Sequence, residues 1–363
     1  MYDSSMVERS CCFYVAVTVS DASRNYEFAE YAVRYTHRHY SWALLICNIL
    51  AKLTARSAFR KGLITMNNCI EIRNVDKFYG RKQALINVSL TIHQGMFGLL
   101  GRNGAGKTTL MKTLATLHSK KNGKITVCGI PIEHAKEIRS MTGYLPQDFS
   151  MYPSMTVQES LDYLGVLSGM EKRLREERIA LLLSRVNLTE QRYKKVKALS
   201  GGMKRRLGIA QALLHDPKVL IVDEPTAGLD PEERIRFRNL LCEVAEERIV
   251  ILSTHIVGDI EATCEDIAIM NDGRILWQGT VSALIQSAEG KVFTVNAPKK
   301  YLPQIKKQYI VTGMLVQSEY TTVRIISEDM PDIQGIMPTE PNVEDAYMYC
   351  LYSHGCDVSG GGV

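Results

Sequence analysis

Residues 101–109 read GRNGAGKTT and lie between an apolar run ending at Leu99 and Leu100 and a helix-like stretch near Leu110. Glycines let a backbone fold closely around an anion with its amide N–H groups pointing inward, and the N-terminus of a following helix adds a positive dipole. In this strand–loop–helix context, Gly, four residues and Gly-Lys-Thr predict a phosphate-binding loop. The alternative is a glycine-rich turn with a chance lysine.

This loop predicts specific contacts to a nucleotide. Lys107 would reach the β- and γ-phosphates, and the Thr108 hydroxyl would coordinate the accompanying Mg²⁺. The loop residues predicted to bind the nucleotide are Gly101, Arg102, Asn103, Gly104, Ala105, Gly106, Lys107, Thr108 and Thr109.

A second informative segment begins with the apolar residues 219–222, which run directly into Asp223, Glu224 and Pro225. The pattern predicts a buried parallel strand that ends in two carboxylates. At a strand tip beside a phosphate loop, Asp223 would bridge to Mg²⁺, and Glu224 would be the general base that takes a proton from the attacking water. For an isolated segment, an acidic turn after a strand is the alternative.

Between these segments, residues 199–203 read LSGGM and precede apolar residues that recur with helical spacing over residues 204–214. Ser200, Gly201 and Gly202 would cap that helix. The unpaired amides of such a cap leave two roles open, a structural cap or a second phosphate contact. We interpret the basic residues 204–206 as a solvated or phosphate-near face.

The chain resembles the nucleotide-binding domain of ATP-binding cassette (ABC) transporters. Six motifs match that family in order: Walker A at residues 101–108, the glutamine loop at 145–147, the signature at 199–203, Walker B at 219–223 followed by Glu224, the D-loop at 227–230, and the switch histidine His255. The signature departs from the family in one residue, since Met203 stands where glutamine is common.

The resemblance implies roles for three further residues. Gln147 would contact Mg²⁺ and the attacking water and relay the nucleotide state to a membrane partner. His255 would hold the γ-phosphate and orient the base. Tyr79, in the first hairpin, would stack on adenine, although a tyrosine before a turn also commonly serves packing. Catalysis would then rest on Glu224 with His255, Gln147 and Lys107.

The resemblance also implies the fold: an α/β P-loop ATPase core of ABC type with an antiparallel β subdomain and a helical subdomain. Residues 66–287 would form the nucleotide-binding domain. Residues 1–65 would be an N-terminal extension of unknown role, or an over-extended gene prediction with Met66 as the true start.

The remainder predicts a small C-terminal α/β appendage over residues 288–352 and a flexible tail over residues 353–363. β-like stretches at residues 292–295 and 323–326 indicate this appendage. Its last part, residues 341–347, reads PNVEDAY and is similar to the Pro-x-x-Glu-Asp-x-Tyr ending of ATPases that serve drug, peptide or polysaccharide exporters.

Composition narrows the class of protein. The chain has 363 residues, of which 45% are hydrophobic, and this length and composition are enough for a sizeable core and more than one domain. Its net charge of +5 is mild. No cluster of basic and aromatic residues predicts nucleic-acid binding. The nine cysteines form no CxxC pair, which disfavours zinc and a disulfide framework and favours a reducing compartment. No apolar run reaches the roughly twenty residues of a membrane span.

Partners follow from the resemblance. A second nucleotide-binding domain, either a copy or a paralogue, would complete the site head to tail. A polytopic membrane permease would hold the protein in the cytoplasm at the inner face of the cell membrane. The predicted function is ATP hydrolysis that powers export of an undetermined cargo. The alternatives are a non-transport ABC ATPase of translation or repair, or a regulatory nucleotide-binding module.

Overall fold

The computed structural model describes residues 68–357 of the chain, which belong to one compact unit. The predicted N-terminal extension and the last part of the predicted tail, residues 358–363, lie outside the described residues. The domain boundaries proposed from the sequence stay predictions.

Three sheets contain the strands of residues 68–357. The strands are β1 (Cys69–Tyr79), β2 (Lys82–His93), β3 (Gly95–Leu100), β4 (Asn122–Val127), β5 (Ile130–Pro131), β6 (Thr142–Leu145), β7 (Val219–Asp223), β8 (Ile249–Thr254), β9 (Asp266–Asn271), β10 (Arg274–Thr280), β11 (Val292–Ala297), β12 (Ile310–Val316), β13 (Thr321–Ile326) and β14 (Met337–Pro338).

Helices connect these strands and cover the sheets. The α-helices are α1 (Lys107–Leu114), α2 (Ala135–Met141), α3 (Val157–Leu167), α4 (Lys172–Arg185), α5 (Gly201–Ala212), α6 (Pro231–Ala245), α7 (Val257–Thr263), α8 (Val281–Ser287), α9 (Leu302–Gln308) and α10 (Val343–Ser353). No helix of residues 68–357 has the length and apolar character that crossing a membrane requires.

The central sheet has the order β10-β9-β3-β8-β7-β6, with parallel pairing from β9 to β6. Every residue of β7 and β8 is buried, as expected for parallel strands covered on both faces. The register pairs Leu100 with Thr254, Ser253 with Asp223, and Val222 with Leu145. The carboxyl ends of the four parallel strands β3, β8, β7 and β6 therefore lie at the same edge of the sheet.

The two faces of the central sheet belong to different cores. Along β7, Leu220 and Val222 join the core shared with the helices, whereas Val219 and Ile221 join the core shared with the antiparallel sheet β2-β1-β4-β5. This alternation follows from the two-residue period of a strand. It fixes the orientation of the strand that ends in Asp223.

The helical region and the C-terminal appendage contain no strand of the central sheet. A capping box begins α3, with Glu159 N donating to Thr156 Oγ1 over 3.1 Å and Thr156 N donating to Glu159 Oε2 over 2.8 Å. The third sheet, β12-β13-β11-β14, is antiparallel and has its own small core. The predicted α/β class, with its antiparallel, helical and C-terminal parts, is confirmed.

Two local predictions differ from the structure. The helix after the phosphate loop begins at Lys107, before the Leu110 region where its apolar pattern becomes visible, because Gly106 adopts a φ of 107° and turns the chain directly into the helix. The appendage contains β12, which the sequence analysis did not identify. This strand is largely half-exposed or exposed, so it lacks the alternating apolar signal of a buried strand.

Candidate nucleotide-binding site

The predicted phosphate loop connects β3 to α1 and depends on its glycines. Gly104 and Gly106 have φ values of 83° and 107°, in the left-handed region that favours glycine. A Cβ added at Gly101 would lie 2.2 Å from the Met270 carbonyl oxygen. The loop therefore combines backbone turns and a close packing contact that other residues would disturb.

Lys107 points back into this loop. Its side chain is only 5% exposed, and Nζ donates to the carbonyl oxygens of Gly101 over 2.5 Å and Arg102 over 3.2 Å. The same Nζ lies 3.1 Å from Glu224 Oε1. A buried cation is thus held where the predicted phosphates would approach.

Glu224 follows the last residue of β7 and joins two predicted catalytic groups. Its carboxylate lies between Lys107 and His255, with Oε2 at 2.6 Å from His255 Nδ1. Its φ of 48° is uncommon for a residue with a side chain, and its backbone N donates to the Ser253 carbonyl oxygen over 2.9 Å. This backbone turn directs the carboxylate toward the phosphate loop.

Asp223 is fully buried, yet neither of its carboxylate oxygens has a hydrogen-bond partner among the described residues. Burial is the main cause that raises the pKa of Asp223, and the adjacent Glu224 adds to that rise. The Lys107 cation lowers the pKa, as do the hydroxyls of Thr108 and Ser253, which lie near the carboxylate without forming a well-aligned hydrogen bond to it. A buried carboxylate without a partner is costly unless a cation joins it. Its oxygen ligands and the neighbouring Thr108 hydroxyl suit a hard cation such as Mg²⁺.

One cleft of about 700 Å³ brings several predicted residues together. Residues 102–109, Tyr79, Gln147 and Glu224 line it. His255 reaches this group through its contact with Glu224, while Asp223 is buried and does not line the cleft. The predicted adenine, phosphate and glutamine-loop residues are therefore neighbours in the structure.

The cleft also contains residues that sequence reasoning missed. Asp272 and Gly273 line it, and Gly273 N donates to the Ala105 carbonyl oxygen over 2.8 Å. The Asp-Gly pair is a recognisable turn signal between β9 and β10. Only the order of the strands places that turn against the phosphate loop.

Tyr79 ends β1 and is 44% exposed. Its ring meets His118 edge to face at a centroid distance of 5.6 Å, and Lys77 Nζ lies 5.3 Å from its ring centroid. These contacts hold the ring at the mouth of the cleft while leaving much of it accessible.

The signature residues do not line this cleft. Ser200 Oγ accepts a hydrogen bond from Met203 N over 3.2 Å and caps α5. A Cβ added at Gly202 would lie 2.7 Å from Glu233 Oε2, so the helix start packs closely against α6. The structural cap is therefore present, and a phosphate contact by residues 200–202 stays a prediction.

The interpretation of residues 204–206 as a solvated face is wrong for Arg206. This side chain is buried and donates to the carbonyl oxygens of Val186 and Asn187, each over 2.9 Å. It also lies 3.2 Å from Glu233. The helical period turns Arg206 inward, where it binds carbonyls at the end of α4.

A buried contact supports the chain that follows Glu224. Thr226 Oγ1 donates to Asp259 Oδ2, and Asp259 is fully buried with Arg238 at 3.7 Å. Sequence reasoning did not identify Asp259, because α7 is short and nothing in its pattern indicates a buried acid. The contact fixes the loop between β7 and α6.

With this geometry established, comparison with known proteins identifies relatives. The family model described as "ABC transporter" matches residues 85–227. The chain is 37% identical over 267 residues to the "uncharacterized ABC transporter ATP-binding protein YxlF" of Bacillus subtilis, covering 73% of this chain and 88% of that protein. It is 38% identical over 224 residues to "Nod factor export ATP-binding protein I" of Burkholderia lata, covering 61% and 74%.

A further relative extends well beyond the part that matches this chain. The chain is 35% identical over 296 residues to the "probable multidrug ABC transporter ATP-binding protein YbhF" of Escherichia coli, covering 77% of this chain. It spans about half of that relative, 51% of its length.

Solved structures share the fold. The cbiO1 protein of Clostridium perfringens, part of the ABC transporter complex cbiONQ, matches with a TM-score of 0.56 and 26% identity, covering 66% of this chain and 94% of that one. The dimeric, post-hydrolysis cassette MJ0796 bound to ADP and Pi matches with a TM-score of 0.53 and 25% identity, covering 58% and 98%.

Proposed function

The chain belongs to the ABC transporter family of ATP-binding proteins, and we propose that it uses Mg²⁺ and ATP hydrolysis to power export through a separate membrane permease. As a member of this family it is an ATPase cassette. One observation carries the assignment of its site: the buried Glu224 carboxylate bridges Lys107 and His255 at the rim of the phosphate loop.

Nucleotide binding would use the cleft described above. Residues 101–109 would surround the phosphates with backbone amides, and Lys107 would exchange its loop carbonyls for phosphate oxygens. Tyr79 would offer its accessible ring to adenine. The common lining of this cleft by Tyr79 and residues 102–109 supports both roles.

A magnesium ion fits the residues at the end of β7. Asp223 and the Thr108 hydroxyl would hold it, with Gln147 approaching from the cleft wall. When bound, the ion would neutralise phosphate charge during transfer. The partnerless oxygens of the buried Asp223 support this assignment.

Hydrolysis would depend on Glu224 and its two neighbours. Glu224 would take a proton from the attacking water, while its 2.6 Å contact with His255 would keep the carboxylate oriented. Once Lys107 turns toward the phosphates, the Glu224 oxygen that it now contacts would be free to accept that proton. His255 would also contact the γ-phosphate.

A second cassette would complete the site. Ser200, Gly201 and Gly202 lie outside the cleft of their own chain, which supports a phosphate contact made across a head-to-tail dimer. The similar cassette MJ0796 is described as dimeric. The second nucleotide-binding domain would be either a copy of this chain or a paralogue.

Export is supported by the names of two relatives, a Nod factor export protein and a probable multidrug transporter protein. The permease would be a polytopic membrane subunit. The chain would then be cytoplasmic and peripheral on the inner face of the cell membrane. Residues 288–352 would be an accessory domain of this subunit.

The proposed transport role can be tested by affinity purification. A tagged Glu224→Gln protein, which should retain bound ATP, would be isolated from detergent-solubilised membranes of its native host and its partners identified by mass spectrometry. We expect a multi-spanning membrane protein in stoichiometric amount. Recovery of only ribosomal, repair or regulatory proteins would contradict export and favour a non-transport ABC protein.

A further inference from the structure

The end of the described chain contacts the phosphate loop. We call residues 354–357, which follow α10, the C-terminal strap. Arg102 Nη1, from the second residue of the phosphate loop, donates to the backbone carbonyl oxygen of Asp357 over 2.7 Å. These residues are separated by 255 positions in the sequence. The side chain of a nucleotide-site residue is thus held by residues that follow the appendage.

A second contact joins the strap to the turn that supports the loop. Asn271 Nδ2 donates to Cys356 Sγ over 3.3 Å and to Asp272 Oδ2 over 3.0 Å. The next residue in that turn, Gly273, donates to Ala105 of the phosphate loop over 2.8 Å. The strap therefore contacts the loop directly through Arg102 and indirectly through this turn.

The strap is hydrogen-bonded to the end of α10, which in turn packs against the cassette core. Cys356 N donates to the Leu351 carbonyl oxygen over 3.0 Å, and Gly355 has a φ of 70°, as in a Schellman ending of a helix. Upstream, α10 buries Val343, Ala346, Tyr347 and Leu351 in the same core as the central sheet. The strap is fixed to the cassette core by α10.

Tyr347 brings a further group of α10 to Arg102. Its side chain is buried, and burial raises the pKa of its hydroxyl, while the adjacent Arg102 guanidinium opposes that rise. The guanidinium that binds the Asp357 carbonyl is therefore also close to the Tyr347 hydroxyl. This arrangement restrains a long side chain that is otherwise exposed to solvent.

Restraint of Arg102 bears on nucleotide binding through its own backbone. The Arg102 carbonyl oxygen accepts from Ala105 N over 3.2 Å and from Lys107 Nζ over 3.2 Å. A loop held in its binding conformation before the ligand arrives loses less conformational entropy on binding. Holding the Arg102 side chain therefore limits the movement of the carbonyl that organises the loop.

We propose that the C-terminal strap is a positioning element for the nucleotide site, which holds Arg102 and keeps the phosphate loop in its binding conformation. The proposal rests on nucleotide binding at this loop. It gives the appendage a role in ATP affinity that depends on the last turn of α10 and residues 356 and 357.

Two truncated proteins test the strap. One ends after Gly355 and lacks the strap contacts, and its matched control ends after Ser359, so that the Asp357 carbonyl that Arg102 binds remains part of a peptide bond. The dissociation constant for ATP would be measured by isothermal titration calorimetry in the Glu224→Gln background. We expect about fivefold weaker binding in the shorter protein, the effect of one hydrogen bond of ordinary strength. Turnover at saturating ATP, in the presence of Glu224, should change less than KM.

A double-mutant cycle tests whether the effect passes through Arg102. Arg102→Ala in the longer protein should weaken ATP binding to a similar extent, and truncation after Gly355 should then add little. Additive losses would overturn the positioning role, because the strap would then act by another route. Equal dissociation constants for the two truncated proteins would overturn it as well.

Two further variants separate folding and function from the proposal. Tyr347→Phe keeps the buried ring and removes only the hydroxyl, so a modest rise in the dissociation constant at unchanged melting temperature supports the proposal without shortening the chain. Lys107→Ala should abolish ATP binding whatever the strap does. If Lys107→Ala abolishes binding and the strap variants leave it unchanged, the nucleotide site stands and the strap proposal is wrong.

Discussion

Asp223 in the nucleotide site and Asp345 in the appendage are both fully buried aspartates, but they differ in every contact. Neither oxygen of Asp223 has a hydrogen-bond partner among the described residues. In contrast, Asp345 Oδ1 accepts from Thr312 over 2.5 Å, and Oδ2 accepts from Arg324 Nε over 2.7 Å and Asn342 N over 3.0 Å. A buried acid with all its partners present stabilises a fold, whereas one without partners is suited to a ligand.

The same contrast distinguishes the two regions. At the carboxyl edge of the central sheet, Glu224 adopts an unfavourable φ and contacts Lys107 and His255 in a cleft open to solvent. In the appendage, Asn342 and Asp345 form a capping box that begins α10 and connects it to β12 and β13. Two residues of the Pro-x-x-Glu-Asp-x-Tyr segment thus have structural contacts: Asp345 joins α10 to β12 and β13, and Tyr347 is close to Arg102 of the phosphate loop.

The largest expected effect is on catalysis. Glu224→Gln should lower turnover about 10²- to 10⁴-fold, since the general base is lost, while ATP binding is retained. Steady-state phosphate release and equilibrium ATP binding would be measured on the same preparation. Glu247→Gln, at an exposed acid that does not line the cleft, is the matched control. Substantial hydrolysis by Glu224→Gln would remove Glu224 as the base.

Removal of Asp345, whose carboxylate oxygens both accept hydrogen bonds, should lower the stability of the appendage rather than the rate of hydrolysis. Asp345→Ala leaves Arg324 without its buried partner and should cost about 3 kcal/mol of local stability. Hydrogen–deuterium exchange should then show about a hundredfold less protection in β13 and α10. The neighbouring Glu344 is exposed, so Glu344→Ala should change protection little. Equal effects of the two substitutions would show that the contacts of Asp345 are not what stabilises the appendage.

The exposed Tyr79 should affect nucleotide affinity rather than stability. Tyr79→Ala should raise the KM for ATP about tenfold, because the accessible ring would lose its stacking on adenine. Tyr79→Phe keeps an aromatic face and serves as the control. An unchanged KM in Tyr79→Ala would exclude this residue from the adenine site.

Asp223→Asn should raise the free energy of unfolding at pH 7, without nucleotide or metal, by about 1 kcal/mol, since it removes a buried charge that lacks partners. Burial raises the pKa of Asp223, so the ionised carboxylate destabilises the folded state increasingly as pH rises through that raised value. The gain from the substitution should therefore shrink as pH falls toward the ordinary value of 3.8. Urea unfolding of both proteins across this range measures the difference.

A gain in stability would sharpen the contrast with Asp345, because the two buried acids would then respond to substitution with opposite signs. A loss of stability in Asp223→Asn would instead show that Asp223 is satisfied within the protein. The same variant should lose its dependence of ATP affinity on Mg²⁺.

The smallest effect is expected in the signature. The Met203 side chain is partly buried and packs against the core. The hydrogen bond that caps α5 uses the Met203 backbone N and the Ser200 hydroxyl, so it does not depend on the Met203 side chain. Met203→Gln, which restores the family residue, should change turnover by about twofold or less. A many-fold change in the rate of phosphate release would show that the side chain at this position matters for hydrolysis.

The sequence by itself determined the family and the fold class. Gly101, Gly104 and Gly106 at fixed spacing before Lys107 predict the phosphate loop, because few other residues tolerate such turns around an anion. Residues 219–223 predict a buried strand with an acid at its end. Such signals are local, so one sequence suffices to find them.

The tertiary structure alone decided which distant groups meet. The register of the central sheet places Glu224 between Lys107 and His255, and leaves Asp223 buried without partners. Packing also turned Arg206 inward and joined Asp357 to Arg102. Burial and partnership depend on contacts between segments far apart in the chain, and no local pattern of residues encodes them.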